Sequence, residues 1–454
     1  MSSILAISNS SDLFLIIVVL FLLSSIILLL FIVLRKHVKV RPWVKATLLI
    51  IWCVSLLSVI ANIIIGGYNG YYLQTRTVTD ALHVTNDGSH ALYMRQPSNT
   101  YVINTTLYTY GNNKMKRAEF NKNIHTLSTL DGENIIFSDG NTIFGYNSRA
   151  KKRENLYKTG NSITFLAINH NGKNFVFTRS NKPLGESLVP NIYRKYSYLR
   201  QSSEQDVIIE LCLYDFKTKD VTILDYGKEE YGKTVSFPSI SCDKIVFVAD
   251  GNILLYDLSS HETRFLAHGF WPRISKGGKY VIYMNSIGNY FNIYRYNISS
   301  SNIVQISPNS NEDEQYIQQY AGLLDTFFDH DISNASTFFD ISDDGNIVAY
   351  IESVVEKNNM DRTTARHIYY HNFLTNETIK FNPFEGVNSR NNLQLCTLKL
   401  SGNGRYLLFT GNSLTKNETD NLIDVYIKDM ETGEVKCLST QSFTWFSPKI
   451  RLKI

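Results

Sequence analysis

The sequence predicts an all-β protein: a β-propeller, with seven blades expected and eight left open, preceded by a two-helix transmembrane hairpin. Three observations carry that expectation. The stretch Phe237–Leu266 breaks into four short apolar runs separated by Asp, Gly, Asn and Ser, which is strand chemistry with turn punctuation. Similar units recur along the rest of the chain. Near the front stand two runs of about twenty apolar residues, a length suited to crossing a bilayer.

The front of the chain comes first. Residues 13–34 are 22 in a row with only Ser24 and Ser25 polar, and a second apolar run covers 46–66. Between them, the loop 35–45 holds five Lys or Arg residues, whereas residues 1–12 hold none. By the positive-inside rule this loop is cytoplasmic, so both termini and everything after the second helix lie outside the plasma or inner membrane. A cleaved signal peptide is the competing reading, but the segment has no basic leader and no small-residue cleavage site. Residues 1–67 therefore read as a two-pass anchor, 68–80 as a linker and 81–454 as the propeller. At full stretch that linker spans about 50 Å, which keeps the propeller close to the bilayer.

Seven units follow: Ala81–Phe120, Ile124–Lys158, Ser162–Tyr226, Ser236–Ala267, Trp271–Ser307, Ser336–Asn382 and Leu393–Thr440. Most carry a tight Asx-Gly or Gly-Gly turn after their first strand, as at Asp87-Gly88, Asp131-Gly132, Asp344-Gly345 and Asn403-Gly404; the fourth has Cys242-Asp243 instead. Such pairs supply the φ > 0 positions of tight hairpins. A four-stranded unit of this size cannot bury its own faces, so the units pack radially. The tail 441–454 reads as one more strand, either closing the ring on the first blade or starting an eighth.

The segments Phe237-Pro-Ser-Ile-Ser, Trp271-Pro-Arg-Ile-Ser and Phe339-Asp-Ile-Ser-Asp-Asp-Gly resemble the TolB-type, WD40-like repeat family. Its unit runs Pro-x-[Ile/Trp]-Ser-x-Asp-Gly and then two strands of the Ile-Ala-Phe and Ile-Tyr-Val-x-Asp kind. The resemblance spans Ala81 to Thr440 and implies a propeller that often binds protein. It brings no catalytic residues to carry over.

Charge narrows the partners. The chain has 45 basic and 41 acidic side chains, and residues 1–66 hold five basic residues against Asp12. The remainder is 40 against 40, so the propeller lacks the basic footprint of a nucleic-acid binder. No cofactor or metal is expected. The acidic cluster Asp325, Asp329, His330 and Asp331 reads as a solvated loop before it reads as a Ca²⁺ site. His367 and His371 would sit about 13 Å apart on a strand, too far to share a metal. The five cysteines, Cys53, Cys212, Cys242, Cys396 and Cys437, read as free thiols.

The candidate site rests on where the long insertions fall. Lys182–Asp206, Pro308–Ala335, Glu356–Arg366, Pro383–Asn391 and Gly411–Asn421 all join second to third strands or one blade to the next, so they crowd one face of the ring. Within them, Tyr193, Arg194 and Tyr196 interleave aromatic and basic chemistry. Tyr316, Tyr320, Phe327 and Phe328 fall at helical spacing behind the acidic start Glu312–Glu314. These seven residues are the expected partner contacts, and the expected work is non-catalytic binding of a protein or an envelope polymer. The alternative is a hydrolase or lyase working on a glycan or peptide at the channel, although no Gly-x-Ser-x-Gly elbow is present. Paired carboxylates in the channel would favour that alternative.

Overall fold

In the computed structural model the apolar runs become strands and the turn pairs become hairpins. The structure describes residues 77–439 apart from 98–104, 112–113, 121–123, 125, 130, 182–207, 233, 288–289, 308–337, 359–360, 383–394 and 413–422. The predicted membrane helices, 13–34 and 46–66, and the tail strand lie outside the described residues. Among the described residues no helix is long and apolar enough to cross a membrane.

Seven four-stranded antiparallel sheets follow one another in chain order. Blade 1 is β1 (Thr77–Val84), β2 (His90–Pro97), β3 (Thr105–Gly111) and β4 (Lys114–Phe120). Blade 2 is β5 (Thr126–Thr129), β6 (Asn134–Ser138), β7 (Thr142–Asn147) and β8 (Lys152–Lys158). Blade 3 is β9 (Ile163–Ile168), β10 (Asn174–Ser180), β11 (Ile209–Asp215) and β12 (Val221–Ile223). A single helical turn, α1 (Lys228–Tyr231), leads to blade 4: β13 (Val235–Ser241), β14 (Lys244–Ala249), β15 (Asn252–Asp257) and β16 (Thr263–His268). Blade 5 is β17 (Phe270–Ile274), β18 (Tyr280–Ile287), β19 (Tyr290–Asn297) and β20 (Ile303–Gln305). Blade 6 is β21 (Phe339–Ile341), β22 (Ile347–Asn358), β23 (Asp361–Asn372) and β24 (Glu377–Phe381). Blade 7 is β25 (Leu395–Leu400), β26 (Tyr406–Asn412), β27 (Ile423–Asp429) and β28 (Val435–Cys437). Seven blades, not eight, make the ring, and its first strand starts slightly before the expected Ala81.

The repeated Ser-x-Asx-Gly has a local cause. The hydroxyls of Ser275, Ser342 and Ser401 accept the backbone N–H of Tyr280, Ile347 and Tyr406 at 3.2, 2.9 and 2.9 Å. The Asx side chain then caps the turn, as where Asn346 N–H donates to Asp344 Oδ1 at 3.0 Å. The following Gly takes the left-handed conformation, for example Gly345 at φ 76°. A side-chain oxygen therefore satisfies backbone groups that the first and second strands cannot satisfy for each other.

The buried apolar side chains form seven clusters, and each is shared by two neighbouring blades. Phe247 and Ile245 of blade 4 pack with Val176 and Leu211 of blade 3, while Val246 and Leu255 on the same sheet's other side pack with Tyr283 and Tyr294 of blade 5. A blade is thus apolar on both faces, as continuous runs such as Lys244–Ala249 require, and is stable only between two others. Blades 7 and 1 close the circle in the same way, with Leu408 and Val425 against Tyr93 and Tyr108. Backbone contacts add to that seam: Ala81 N–H donates to Thr397 Oγ1 at 3.0 Å, and Asn403 N–H to Asn86 Oδ1 at 2.9 Å. Closure needs no exchanged strand, because blade 1 supplies its own outer strand, β4.

The strand ends settle the faces. First-to-second and third-to-fourth connections are short in every blade, and the long connections β10–β11, β20–β21, β24–β25 and β26–β27 all open on the opposite face. One expected loop is different. Glu356–Arg366 continues the ladder instead, with β22 pairing β23 from Ile347↔Asn372 out to Asn358↔Asp361. The connection is a hairpin that extends on the insertion face.

Candidate functional site

The expected partner contacts Tyr193, Arg194, Tyr196, Tyr316, Tyr320, Phe327 and Phe328 all lie outside the described residues. The strands that carry their loops, β10–β11 and β20–β21, are in place, and both loops leave the ring on the insertion face. The acidic cluster 325–331 is likewise outside the described residues. His367 and His371 both stand on β23, as a strand reading required. Among the described residues no group of three or more His, Cys, Asp or Glu is placed to hold a metal. Cys212, Cys242 and Cys437 are free thiols.

What the structure assembles lies at the centre. The first strands of successive blades touch one another in a closed circle, β1–β5–β9–β13–β17–β21–β25 and back to β1, so they line the channel. One position of each lines up around the circle: His83, Ser128, Ala167, Ser239, Arg273, Asp340 and Lys399. The alignment is visible in hydrogen bonds from blade to blade. Ile168 N–H donates to Ser128 Oγ at 3.0 Å, Ile274 N–H to Ser239 Oγ at 3.3 Å, and Leu400 N–H to Asp340 Oδ2 at 3.0 Å. Small side chains occupy this tier in blades 2, 3 and 4. Blades 5, 6, 7 and 1 carry Arg273, Asp340, Lys399 and His83 in succession.

That arc is charged in a low-dielectric setting. Lys399 Nζ lies 3.6 Å from Asp340 Oδ2, with the two side chains 12% and 11% exposed. Burial, and then the charge of Arg273, bring the Lys399 ammonium down to about 8 against the pull of Asp340. Burial also lowers Arg273, with Asp340 opposing. His83 packs against the turn of blade 2, where a Cβ on Gly132 would come within 2.9 Å of its ring. At the plain-face mouth, Lys276 pairs with Asp343 at 3.2 Å in the open. Not every buried cation belongs to the channel. Arg295 is clamped between the rings of Tyr280 and Phe373, 3.6 and 3.8 Å from their centroids, and serves the packing of blades 5 and 6.

Next to the charged arc, toward the insertion face, runs an aromatic one. Phe165, Phe237, Trp271 and Phe338 of blades 3 to 6 touch ring to ring, with centroids 4.6, 5.5 and 5.4 Å apart. Phe165 is buried, and the other three are partly exposed. Phe237 and Trp271 adopt φ of 51° and 50° at irregularities in β13 and β17, a conformation bulky residues rarely hold.

His83 predicts an acid-sensitive seam. Burial and then Lys399 hold its imidazole down to about 4, against Asp131, Asp343 and Asp340, whereas its ordinary value is 6.5. The unfolded chain therefore binds the extra proton between these two values. The contribution of neutral His83 is complete above pH 6.5 and is lost as pH falls through about 4. His83→Gln should flatten this acid limb: between pH 7 and 4.5 it should lose about 2 kcal/mol less urea stability than the natural chain. Parallel pH profiles would exclude His83 as the titrating group.

No protein-family model matches this sequence, and no curated protein matches it. Solved structures do resemble the ring. TolB from Acinetobacter baumannii is 13% identical, with 79% of this chain and 81% of that one covered and a TM-score of 0.37. The β-propeller domain of the Trilobed protease from Pyrococcus furiosus is 12% identical over 82% and 99% of the two chains, at 0.49. The acylaminoacyl peptidase of Pyrococcus horikoshii is 10% identical over 80% of this chain and 52% of that one, at 0.50. This chain thus spans about half the length of that peptidase. At such identities a likeness speaks to the fold alone.

Proposed function

We propose that this protein is a membrane-anchored, extracytoplasmic propeller that binds a partner protein or envelope polymer, without catalysis, through the face bearing its long connections. The observation that carries this reading is the asymmetry of the ring: four long connections and one extended hairpin open on one face, and only short turns on the other. Residues 13–34 and 46–66 supply the anchor, and the basic loop 35–45 supplies the orientation. The rival hydrolase or lyase reading asked for converging carboxylates. The aligned channel tier carries one carboxylate, Asp340, between two cations, so this tier does not supply the carboxylate pair that the rival reading needs.

Protease shaving of intact cells, or of spheroplasts where an outer membrane is present, tests the placement through a C-terminal tag. Loss of the tag is the expected result. A protected tag would move the propeller to the cytoplasm and remove every extracellular ligand from consideration. Replacing 309–336 by a short Gly-Ser linker then tests the face. It should abolish a partner complex that survives shortening of the plain-face turn 298–302.

A further inference from the structure

We propose that the plain-face rim of blades 2 and 3 binds a linear polyanion through the cations on the tips of their third-to-fourth turns. The site lies on the face opposite the long connections, and it stands or falls without the insertion-face contacts proposed above.

The turn that carries it is the same in six blades. It opens on Asn147, Asp215, Asp257, Asn297, Asn372 and Asp429, whose side-chain Oδ1 accepts backbone N–H groups two or three residues on. Its fifth residue holds positive φ in every copy: Lys151, Lys219, His261, Ser301, Asn376 and Gly433. The turns can therefore be compared position by position. Ser, Asn, His and Gly fill the fifth place as well as Lys does, so the backbone does not ask for a cation there.

Charge is what differs between the copies. Over the eight positions from the opening residue, blades 2 and 3 (147–154 and 215–222) hold six cations and three carboxylates, net +3. Blades 4 to 7 (257–264, 297–304, 372–379 and 429–436) hold two cations and six carboxylates, net −4. The formal neutrality of the propeller thus conceals a plain face with a basic side and an acidic side. Within blade 2, four cations fall in five residues: Arg149, Lys151, Lys152 and Arg153. All four are exposed, as are Lys217 and Lys219 on blade 3.

These six cations also lack counterions. Among the described residues none of them makes an ion pair. In blades 4 and 7 the same turn is bound into pairs, Asp257 with Lys244 at 3.8 Å and Asp429 with Arg405 at 2.8 Å. Blade 2 has amides instead: Asn147 Nδ2 donates to Asn134 Oδ1 at 2.9 Å. Asp215 of blade 3 is occupied with its own turn, accepting the N–H of Lys217 and Thr218 at 2.7 and 3.0 Å.

Geometry selects the form of the partner. A turn tip encloses nothing, so it does not choose a small ligand by shape. Four of the six cations are Lys, point charges that respond to negative charge density rather than to a planar group. The two tips share one side of the rim, because Leu156 and Tyr157 of blade 2 and Phe216 and Val221 of blade 3 pack against one apolar cluster. A chain with charges along its length can bridge both tips and release its counterions there. A single phosphate or carboxylate reaches only one.

The test uses the full-length chain in phosphatidylcholine nanodiscs and labelled long-chain polyphosphate. Binding should be saturable, and log K should fall with log salt at a slope of about −4, as six neutralised charges require. Exchanging Arg149→Ser, Lys151→Ser and Lys152→Asn installs the residues that blade 5 carries at those positions, Ser299, Ser301 and Asn302. This exchange should weaken binding at least about tenfold and reduce the slope by about 2. Removing three charges elsewhere, with Lys228→Gln, Lys279→Gln and Lys380→Gln, should change it less than about twofold. Polygalacturonate in place of polyphosphate distinguishes a carboxylate chain from a phosphate chain, and saturable binding of either supports the proposal. Binding of neither polymer overturns it, and so does equal affinity for tripolyphosphate or an equal loss in the two triple variants. Co-sedimentation with phosphatidylglycerol vesicles, without polymer binding, would assign the turns to a lipid surface and overturn it too. If the turn variant does not fold, Lys152→Asn alone carries the test, with a loss of about threefold expected.

Discussion

Replacing Asp340 by Ala should cost the propeller about 3–5 kcal/mol at pH 7, one of the two largest losses expected from a single side chain. The residue is 8% exposed and has two duties. Its carboxylate is the only negative charge of the aligned channel tier, facing Lys399 at 3.6 Å and acting on Arg273. It also accepts the Leu400 N–H, which ties blade 6 to blade 7. Alanine would remove the carboxylate that faces Lys399 and leave one buried N–H without this acceptor, a further penalty of roughly 1–3 kcal/mol that overlaps the first. Asp340→Asn keeps an acceptor and loses only the charge, so it should fall between the natural chain and Asp340→Ala. Adding Lys399→Met to Asp340→Asn should return part of the loss, and the cycle measures the pair.

The pH dependence of this loss has a definite sign. Lys399 in the folded ring titrates near 8, below its ordinary 10.5, so its charge opposes folding in full below 8. That opposition lifts as pH rises from 8 toward 10.5. Without Asp340 the folded value falls further, and the relief begins at lower pH. The deficit of Asp340→Ala in urea unfolding should therefore shrink between pH 7 and 9.5. A deficit below about 1 kcal/mol at pH 7, or one that does not change with pH, would mean that the cations are solvated and the channel is wet.

The ring was legible in the sequence because its signals are local. Period-2 runs, a Ser that closes its own turn and a Gly at φ > 0 all lie within about ten residues, and each blade repeats them. Blade order followed from chain order. The channel was not legible in this way. Arg273 and Asp340 were in view inside Trp271-Pro-Arg-Ile-Ser and Phe339-Asp-Ile-Ser, but they occupy the variable position of the repeat, where a difference between copies reads as drift. Only the closed circle brings His83 and Lys399, more than 300 residues apart in sequence, into one electrostatic group. The signal that would have found it is a comparison of that one position across all the units.

One local expectation also changed, for a physical reason. Glu356–Arg366 (EKNNMDRTTAR) is polar, and polarity without alternation reads as loop. In the structure its two ends lie in an antiparallel ladder, the far half of β22 on β23. A strand at the rim of a blade, or a hairpin reaching beyond it, needs backbone partners more than an apolar face. Those partners come from the neighbouring strand whatever the side chains are.

Gly269→Ala should be comparably damaging, and here the cause is the backbone. Blade 4 ends at His268 and blade 5 begins at Phe270, so the step from the outermost strand of one sheet to the innermost strand of the next is a single residue. Gly269 makes it at φ 155°, with its N–H donating to Gly251 O at 3.0 Å. A Cβ there would collide with the carbonyl oxygen of Met284, with Tyr283 Cδ2 at 3.0 Å and Ile253 Cδ1 at 3.1 Å close behind. The oxygen belongs to β18 and cannot swing aside as a side chain can. Strain at the dihedral and overpacking then add to about 3 kcal/mol or more. Gly433→Ala separates the two contributions. Gly433 also holds positive φ, 78°, but nothing stands within 4 Å of its Cβ position, so only the dihedral cost of about 1 kcal/mol should appear. If both variants lost the same stability, the collision at Met284 would be relieved by a small shift of blade 5. A much larger loss at Gly269 means that the register between blades 4 and 5, and with it the placing of Trp271 and Arg273 in the channel, depends on one residue without a side chain.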